Sequence, residues 1–128
     1  ETEKKGTEMV LTVGSQTMTV DGKAKTLDQA PIVVDNRTLV PIRFISEALG
    51  ARTLWNHEAK QVTLMDQDQL IELWIGRQDL LKNGERTQTD VAPVIRNKRT
   101  LVPLRMISET FGWDVEWNQE KQTIRLKG

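Results

Sequence analysis

Arg37-Thr38-Leu39-Val40-Pro41-Ile42-Arg43-Phe44-Ile45-Ser46-Glu47-Ala48-Leu49-Gly50 is met again, 62 residues later, as Arg99-Thr100-Leu101-Val102-Pro103-Leu104-Arg105-Met106-Ile107-Ser108-Glu109-Thr110-Phe111-Gly112. Each copy opens on a Thr-Leu-Val run of strand character and then meets a proline. Pro41 and Pro103 suit the first turn of a helix, where the missing N–H is no loss. Beyond Pro41, the residues Ile42, Ile45, Ala48 and Leu49 recur at helical spacing and form one apolar face. Gly50 and Gly112 stand where a left-handed C-terminal cap is expected. The spacing predicts helices over 41–49 and 103–111. Helices of about two to three turns are marginal alone in water, so each must pack on strands.

Working outward, Met9, Leu11 and Val13 alternate with Val10 and Thr12, Gly14-Ser15 follows, and Gln16 to Val20 reads as a returning strand. That pattern predicts a hairpin, and Asp21-Gly22 is a second turn signal. Ile32-Val33-Val34 is a short β-branched strand that Asp35-Asn36-Arg37 turns back into Thr38-Leu39-Val40. After Gly50, alternation puts Ala51, Thr53 and Trp55 on one face. Asn56-His57-Glu58-Ala59 makes a turn, and the chain returns with Val62 and Leu64 inward.

The same order repeats without a gap. Gly14 meets Gly76 and Trp55 meets Trp117. Leu11, Gln16, Gly22, Asp28, Ala30, Pro31, Asn56, Glu58 and Leu64 all meet an identical residue at the same offset. A repeat of this length predicts two copies of one supersecondary unit. The expected organisation is a loose tail at 1–8, one repeat at 9–66, a short connection at 67–70 and a second repeat at 71–128. The expected fold class is α+β: antiparallel sheets, each packed on one short helix, in two tandem ββ-ββ-α-ββ repeats. The connection has the length of a hairpin turn. The last strand of the first copy is therefore expected to pair with Leu70 to Ile75. Whether the copies separate or interleave stays open at this point.

The composition excludes several classes of function. With 18 basic and 18 acidic residues the chain is neutral, which gives no electrostatic case for nucleic acid or an anionic membrane as main partner. There is no cysteine, so disulfides, thiolate metal sites and a cysteine nucleophile are ruled out. No apolar run approaches a membrane span. Glu1 is not an initiator methionine, so the chain is expected to be a processed or engineered fragment from which a leader has been removable.

The order of hairpin, short strands, Leu-Val-Pro-x-Arg, helix, glycine and Trp-Asn hairpin resembles the copper amine oxidase N-terminal-like domain, or stalk domain. The resemblance covers nearly all of the chain from Met9. It is carried most specifically by Arg37 to Gly50 with Trp55-Asn56, and by Arg99 to Gly112 with Trp117-Asn118. It implies an antiparallel sheet packed on a helix. It also implies a non-catalytic role, away from the metal and quinone of the oxidases, and a setting in exported or cell-surface bacterial proteins. The copper in the family's name belongs to another domain, so no cofactor is expected.

Residues that invite a catalytic reading do not assemble into a site by sequence. His57 is the one histidine, in a predicted turn, and its counterpart is Gln119. A copper or zinc centre generally takes several imidazole or thiolate ligands. Asp35, Asp66 and Asp68 are loop carboxylates, whereas calcium needs six to eight converging oxygens. Ser46 and Ser108 have no recurring histidine or lysine partner to activate them. Glu47 and Glu109 sit on separate copies and read as surface groups. Arg43 and Arg105 place a cation in a first helical turn, against the macrodipole. An offsetting contact is expected, with Glu47 or Glu109 one turn on or with loop carbonyls. Arg96-Asn97-Lys98-Arg99 reads as a solvated turn, because no aromatic interleaves it. Arg37, Pro41, Arg43, Gly50, Trp55 and their equivalents Arg99, Pro103, Arg105, Gly112 and Trp117 are read as the structural motif, with both tryptophans in the core.

Trp74 breaks the pattern. It shares a face with Glu72, opposite Ile71, Leu73 and Ile75, and its counterpart is Thr12. Two readings stand: packing where the copies meet, or a glycan or protein contact made by Trp74 and Glu72. The expected function is a non-enzymatic spacer or docking module of an exported or cell-surface protein. The alternative is a module that binds cell-wall glycan or protein through the sheet around Trp74. Expected partners are other domains of the parent protein, with cell-wall polysaccharide or a surface protein behind them. Neither nucleic acid nor membrane insertion is expected.

Overall fold

The computed structural model describes residues 8–128. The expected tail, 1–8, lies outside the described residues except for Glu8, which opens the first strand. The first half runs β1 (Glu8–Thr12), β2 (Thr17–Val20), β3 (Lys23–Thr26), β4 (Ile32–Val34), β5 (Arg37–Pro41), α1 (Ile42–Glu47), β6 (Arg52–Asn56) and β7 (Gln61–Asp66). The second half follows as β8 (Gln69–Trp74), β9 (Asp79–Lys82), β10 (Glu85–Gln88), β11 (Val94–Arg96), β12 (Arg99–Pro103), α2 (Leu104–Phe111), β13 (Asp114–Asn118) and β14 (Thr123–Lys127). The chain is α+β, with antiparallel sheets and two short helices.

Two details of the expected architecture are corrected. Each half carries a third strand in its opening meander, β3 and β10, which the sequence pattern did not show. Both are exposed along their whole length, so they have no apolar alternation to read. Only the turn before β3 announces it: Asp21 and Gly22 have φ of 51° and 84°, the left-handed pair of a tight hairpin. Nor does each sheet belong to one copy with its own helix. The order β13-β14-β1-β2-β3 makes one sheet, β10-β9-β8-β7-β6 a second, and β11-β12-β5-β4 a central third. Every sheet draws strands from both halves. Helix α1 packs on β5, β6 and β12, and α2 on β5, β8 and β13.

The registers explain this exchange. In the central sheet Val40 faces Val102, while Leu39 faces Pro103 and Pro41 faces Leu101. Equivalent residues thus meet around a local two-fold at the valine pair. Pairing with β12 also holds Pro41 extended, at φ −67° and ψ 146°. Pro41 therefore ends β5 at the N-cap position and the helix starts at Ile42, one residue later than expected. Pro103 does the same at φ −67° and ψ 123°. Gly112, at φ 82°, caps α2 in the left-handed conformation, and Gly50 takes the same geometry beyond the shorter α1.

In the two outer sheets, Leu73 faces Val62 and Leu11 faces Ile124. These are equivalent pairs. The first is joined by the Gln67-Asp68 turn and the second by no chain at all, yet the register is the same. Their inward side chains, including Met9, Leu64, Ile71 and Leu126, meet Val40, Val102 and the helices in the main core. On α1 the buried stripe is Phe44, Ile45 and Leu49, with Ile42 and Ala48 only half-buried. The stripe is turned toward Phe44, which the expected face lacks, because the helix contacts strands of two sheets. The far side of the central sheet closes a smaller cluster of Leu39, Leu101 and Val91, flanked by Ile32, Val34 and Val94.

Two outcomes follow for stability. Phe44→Ala should cost about 3–5 kcal/mol, as expected for a fully buried aromatic. Met106→Ala at the equivalent, half-buried position should cost clearly less, both read from denaturant midpoints at constant m-value. A circular permutant cut between Gln67 and Asp68, with Lys127 joined to Glu8 through a copy of the 66–69 turn, should keep one cooperative unfolding transition. Two separate transitions would refute the shared core.

Candidate functional site

Most of the sequence motif is occupied with holding the fold. Arg43 Nε lies 3.3 Å from Glu47 Oε2, and Arg105 Nε lies 3.3 Å from Glu109 Oε2. The Ser46 and Ser108 hydroxyls each donate to a carbonyl of their own helix, at 3.1 Å to Arg43 and Arg105. Asn56 and Asn118 accept the backbone N–H of Ala59 and Lys121, so the Trp-Asn pair closes its own turn. Arg99 donates to Asp28 at 2.7 Å, and Arg37 to Asp90 at 2.8 Å. Each of these last bonds joins one half to the other. The identity of Asp28 and Asp90 at the common offset was the signal for them, although neither had a role in the sequence reading.

The two motif tryptophans are not in the core. Trp55 is 39% exposed and Trp117 44%. Alternation gave the face correctly, since Trp55 pairs with buried Val62 and Trp117 with buried Ile124. What it does not give is coverage. Along β6 the burial falls from Ala51 through Thr53 to Trp55 as this edge strand outruns the core, and Trp113, Val115 and Trp117 repeat the trend.

Trp55 instead helps to line an open slot of about 530 Å³. Its walls are the core-facing sides of two edge strands, β6 with Trp55 and β11 with Ile95, and its floor is the start of α1 at Ile42 and Arg43. Lys60 and His57 enter from the β6–β7 turn, and Lys98 and Arg99 from the β11–β12 turn. Four cations therefore line the slot together with one carboxylate, Asp28, whose Oδ1 is buried with no hydrogen-bond partner among the described residues. Arg99 and Arg43 both reach Asp28 Oδ2, at 2.7 and 3.5 Å. Among the described residues Lys60 and Lys98 have no carboxylate within 4.0 Å. No aromatic interleaves the Arg96 to Arg99 turn in sequence. The structure supplies Trp55 from the other half of the chain, a neighbour that no local reading could find.

Trp74 lies on the outward face of the second sheet, half-buried, with Glu72 beside it. Glu72 accepts from Gln61 Nε2 at 3.1 Å. The Arg77 guanidinium sits 5.0 Å from the Trp74 ring centre and is pinned by Asp79 at 2.6 and 3.0 Å. Leu54, Met65, Leu70 and Leu81 share this outward face, Leu54 with 54% of its surface exposed. At the equivalent positions the first sheet carries Glu116, Lys127, Glu8 and Thr19, and Arg125 bridges Glu8 at 2.7 Å. One outward face thus holds five apolar side chains among polar ones, at positions where the other holds charges or threonine.

Comparison with protein families matches the copper amine oxidase N-terminal domain twice, over residues 1–54 and 21–126. The chain belongs to this family. In copper amine oxidases the domain is accessory and separate from the catalytic part. No curated protein matches the chain. Among the described residues no helix is long and apolar enough to cross a membrane.

The Arg77 hydrogen bond holds the Asp79 carboxyl below its ordinary pKa, against a smaller opposing effect of desolvation. A depressed native pKa means that the pair's contribution is complete above the unfolded value, near 4, and is lost as pH falls through the native value. Asp79→Asn should therefore lower the denaturant midpoint at pH 6, and the difference from wild type should shrink steadily as the pH is taken below 4.

Proposed function

We propose that the chain is a non-catalytic docking module of an exported or cell-surface protein, and that it docks through the outward face around Trp74 and Leu54. The contrast between the two outer sheets carries this reading. Related positions in one fold hold apolar residues on one side and an ion network on the other. Both satisfy the fold equally, so the apolar choice has a use outside it. The apolar face suits a protein surface, and the Arg77 guanidinium over Trp74 supplies a polar rim to it.

Docking is favoured over spacing by the path of the chain. Glu8 and Lys127 are paired neighbours on adjacent strands. Segments attached at those two points would leave side by side, whereas an in-line spacer must hold its neighbours apart. Attachment points paired in this way suit a module mounted at the side of a larger protein.

A fluorescent reporter carrying the module should be retained on Gram-positive-type cell walls bearing their surface proteins, and protease treatment of the walls should release it. The double variant Leu54→Glu/Trp74→Thr installs the residues of the opposite sheet. It should fold by circular dichroism and lose retention. Undiminished retention of that variant, or no retention of the wild type, would refute docking through this face. Retention that survives protease would favour a glycan on the same face instead.

A further inference from the structure

We propose that the slot lined by Trp55 is a binding site for an acidic polysaccharide, on a different side of the molecule from the docking face and independent of it. The argument starts from the local two-fold. Trp55 and Trp117 are identical and equally exposed, so the fold presents an aromatic platform on both sides. The surroundings then diverge. Lys60 faces the slot where the other side has Gln122, Lys98 where it has Asn36, and Ile95 where it has Val33. One slot is ringed by four cations and the related positions offer only two, Arg37 and Arg105.

Among the described residues the two added charges are the ones with no carboxylate partner. Arg43 and Arg99 are committed to Asp28, so Lys60 and Lys98 are free to meet an anion from opposite rims. Lys98 also stands where lysine is a poor conformational choice. It sits in a tight turn at φ 64°, and the equivalent Asn36 at φ 66° is the better residue for that region. Placing a cation there costs the turn some stability, and charge complementarity gives it a use. The walls of the slot are the indole of Trp55, the side chain of Ile95 and the aliphatic stems of the lysines. A flat apolar wall with cations at the rim suits a sugar ring bearing a carboxylate: the ring lies on the indole and the anion reaches Lys60 or Lys98. The open slot runs between two strand edges, so a chain of such sugars passes along it without an end having to be buried.

Titration of the full chain with tetragalacturonate, followed by calorimetry at low salt, tests the site. One equivalent should bind, more weakly as salt is raised. Trp55→Ala should weaken binding roughly tenfold or more, and so should Lys60→Gln/Lys98→Asn, which copies the opposite slot. Trp117→Ala should change it less than about twofold. The double lysine variant keeps every buried residue, so it should fold and remain at least as stable as wild type. Equal losses in Trp55→Ala and Trp117→Ala would overturn the proposal, as would unaltered binding by the lysine variant. Equally tight binding of neutral chitotetraose, or of an oligoglutamate peptide, would overturn it too, the peptide result pointing to an acidic protein segment. None of these outcomes bears on retention through the Trp74 face.

Discussion

Val40 against Val102 is the contact from which the rest of the architecture follows. Two short strands of identical type meet antiparallel with their equivalent residues opposed. Each therefore delivers its proline at the far side of its partner, at Leu101 and Leu39 respectively. The helices launched from Pro41 and Pro103 leave in opposite directions, and each must lie across strands that the other half supplies. The hairpins after them are then carried to the opposing meander, which is why β6 and β7 extend the sheet of β8 to β10 while β13 and β14 extend that of β1 to β3. Neither half has a complete sheet for its own helix. Burial of Phe44, Ile45 and Ile107 requires both, so the core forms only when the halves cross.

A framework held by paired equivalents leaves a simple way of separating structure from use. Where the two halves agree, the residue is answering to the fold. Asp28 with Arg99 and Asp90 with Arg37 staple one half to the other, and the serines and asparagines close their own helices and turns. Where the halves differ at exposed positions, the fold has no preference and another pressure decides. Two regions that differ in this way carry a distinct chemistry. The outward face of the second sheet exchanges charges for Leu54, Met65 and Leu70, and a threonine for Trp74. The slot beside Trp55 exchanges two neutral amides for Lys60 and Lys98.

Much of this fold was written locally. Alternation and turn residues marked the hairpins, and the Pro-helix-Gly corner marked both helices to within two residues or so at their ends. The 62-residue offset marked the repeat, and the family resemblance followed from the same motifs. The strands that escaped notice, Lys23–Thr26 and Glu85–Gln88, are edge strands with both faces in water, and such strands carry no pattern. The contacts that escaped notice span the halves. Trp55 with Lys98, and Arg99 with Asp28, come together only through the crossing at Val40 and Val102, and chain order gives no hint of them. Trp74 was legible as an exception because its counterpart is a threonine, but its guanidinium cover depends on how Asp79 in the next strand positions Arg77.

The exposed tryptophans show why identity between copies has to be read with care. Recurrence and inward direction predict a core position for both. Both do point inward, but from edge strands that run past the end of the core. Their recurrence makes the aromatic platform a property of the framework, present on each side whether or not it is used. Selectivity then cannot reside in the indole, which is common to both slots. It must reside in what surrounds the indole, and among the described residues lining the slot the cations gained are Lys60 and Lys98. A chain that is neutral as a whole thus concentrates positive charge at one of two related places. It does so with a lysine in a turn position that favours asparagine, and an anionic ligand accounts for both facts at once.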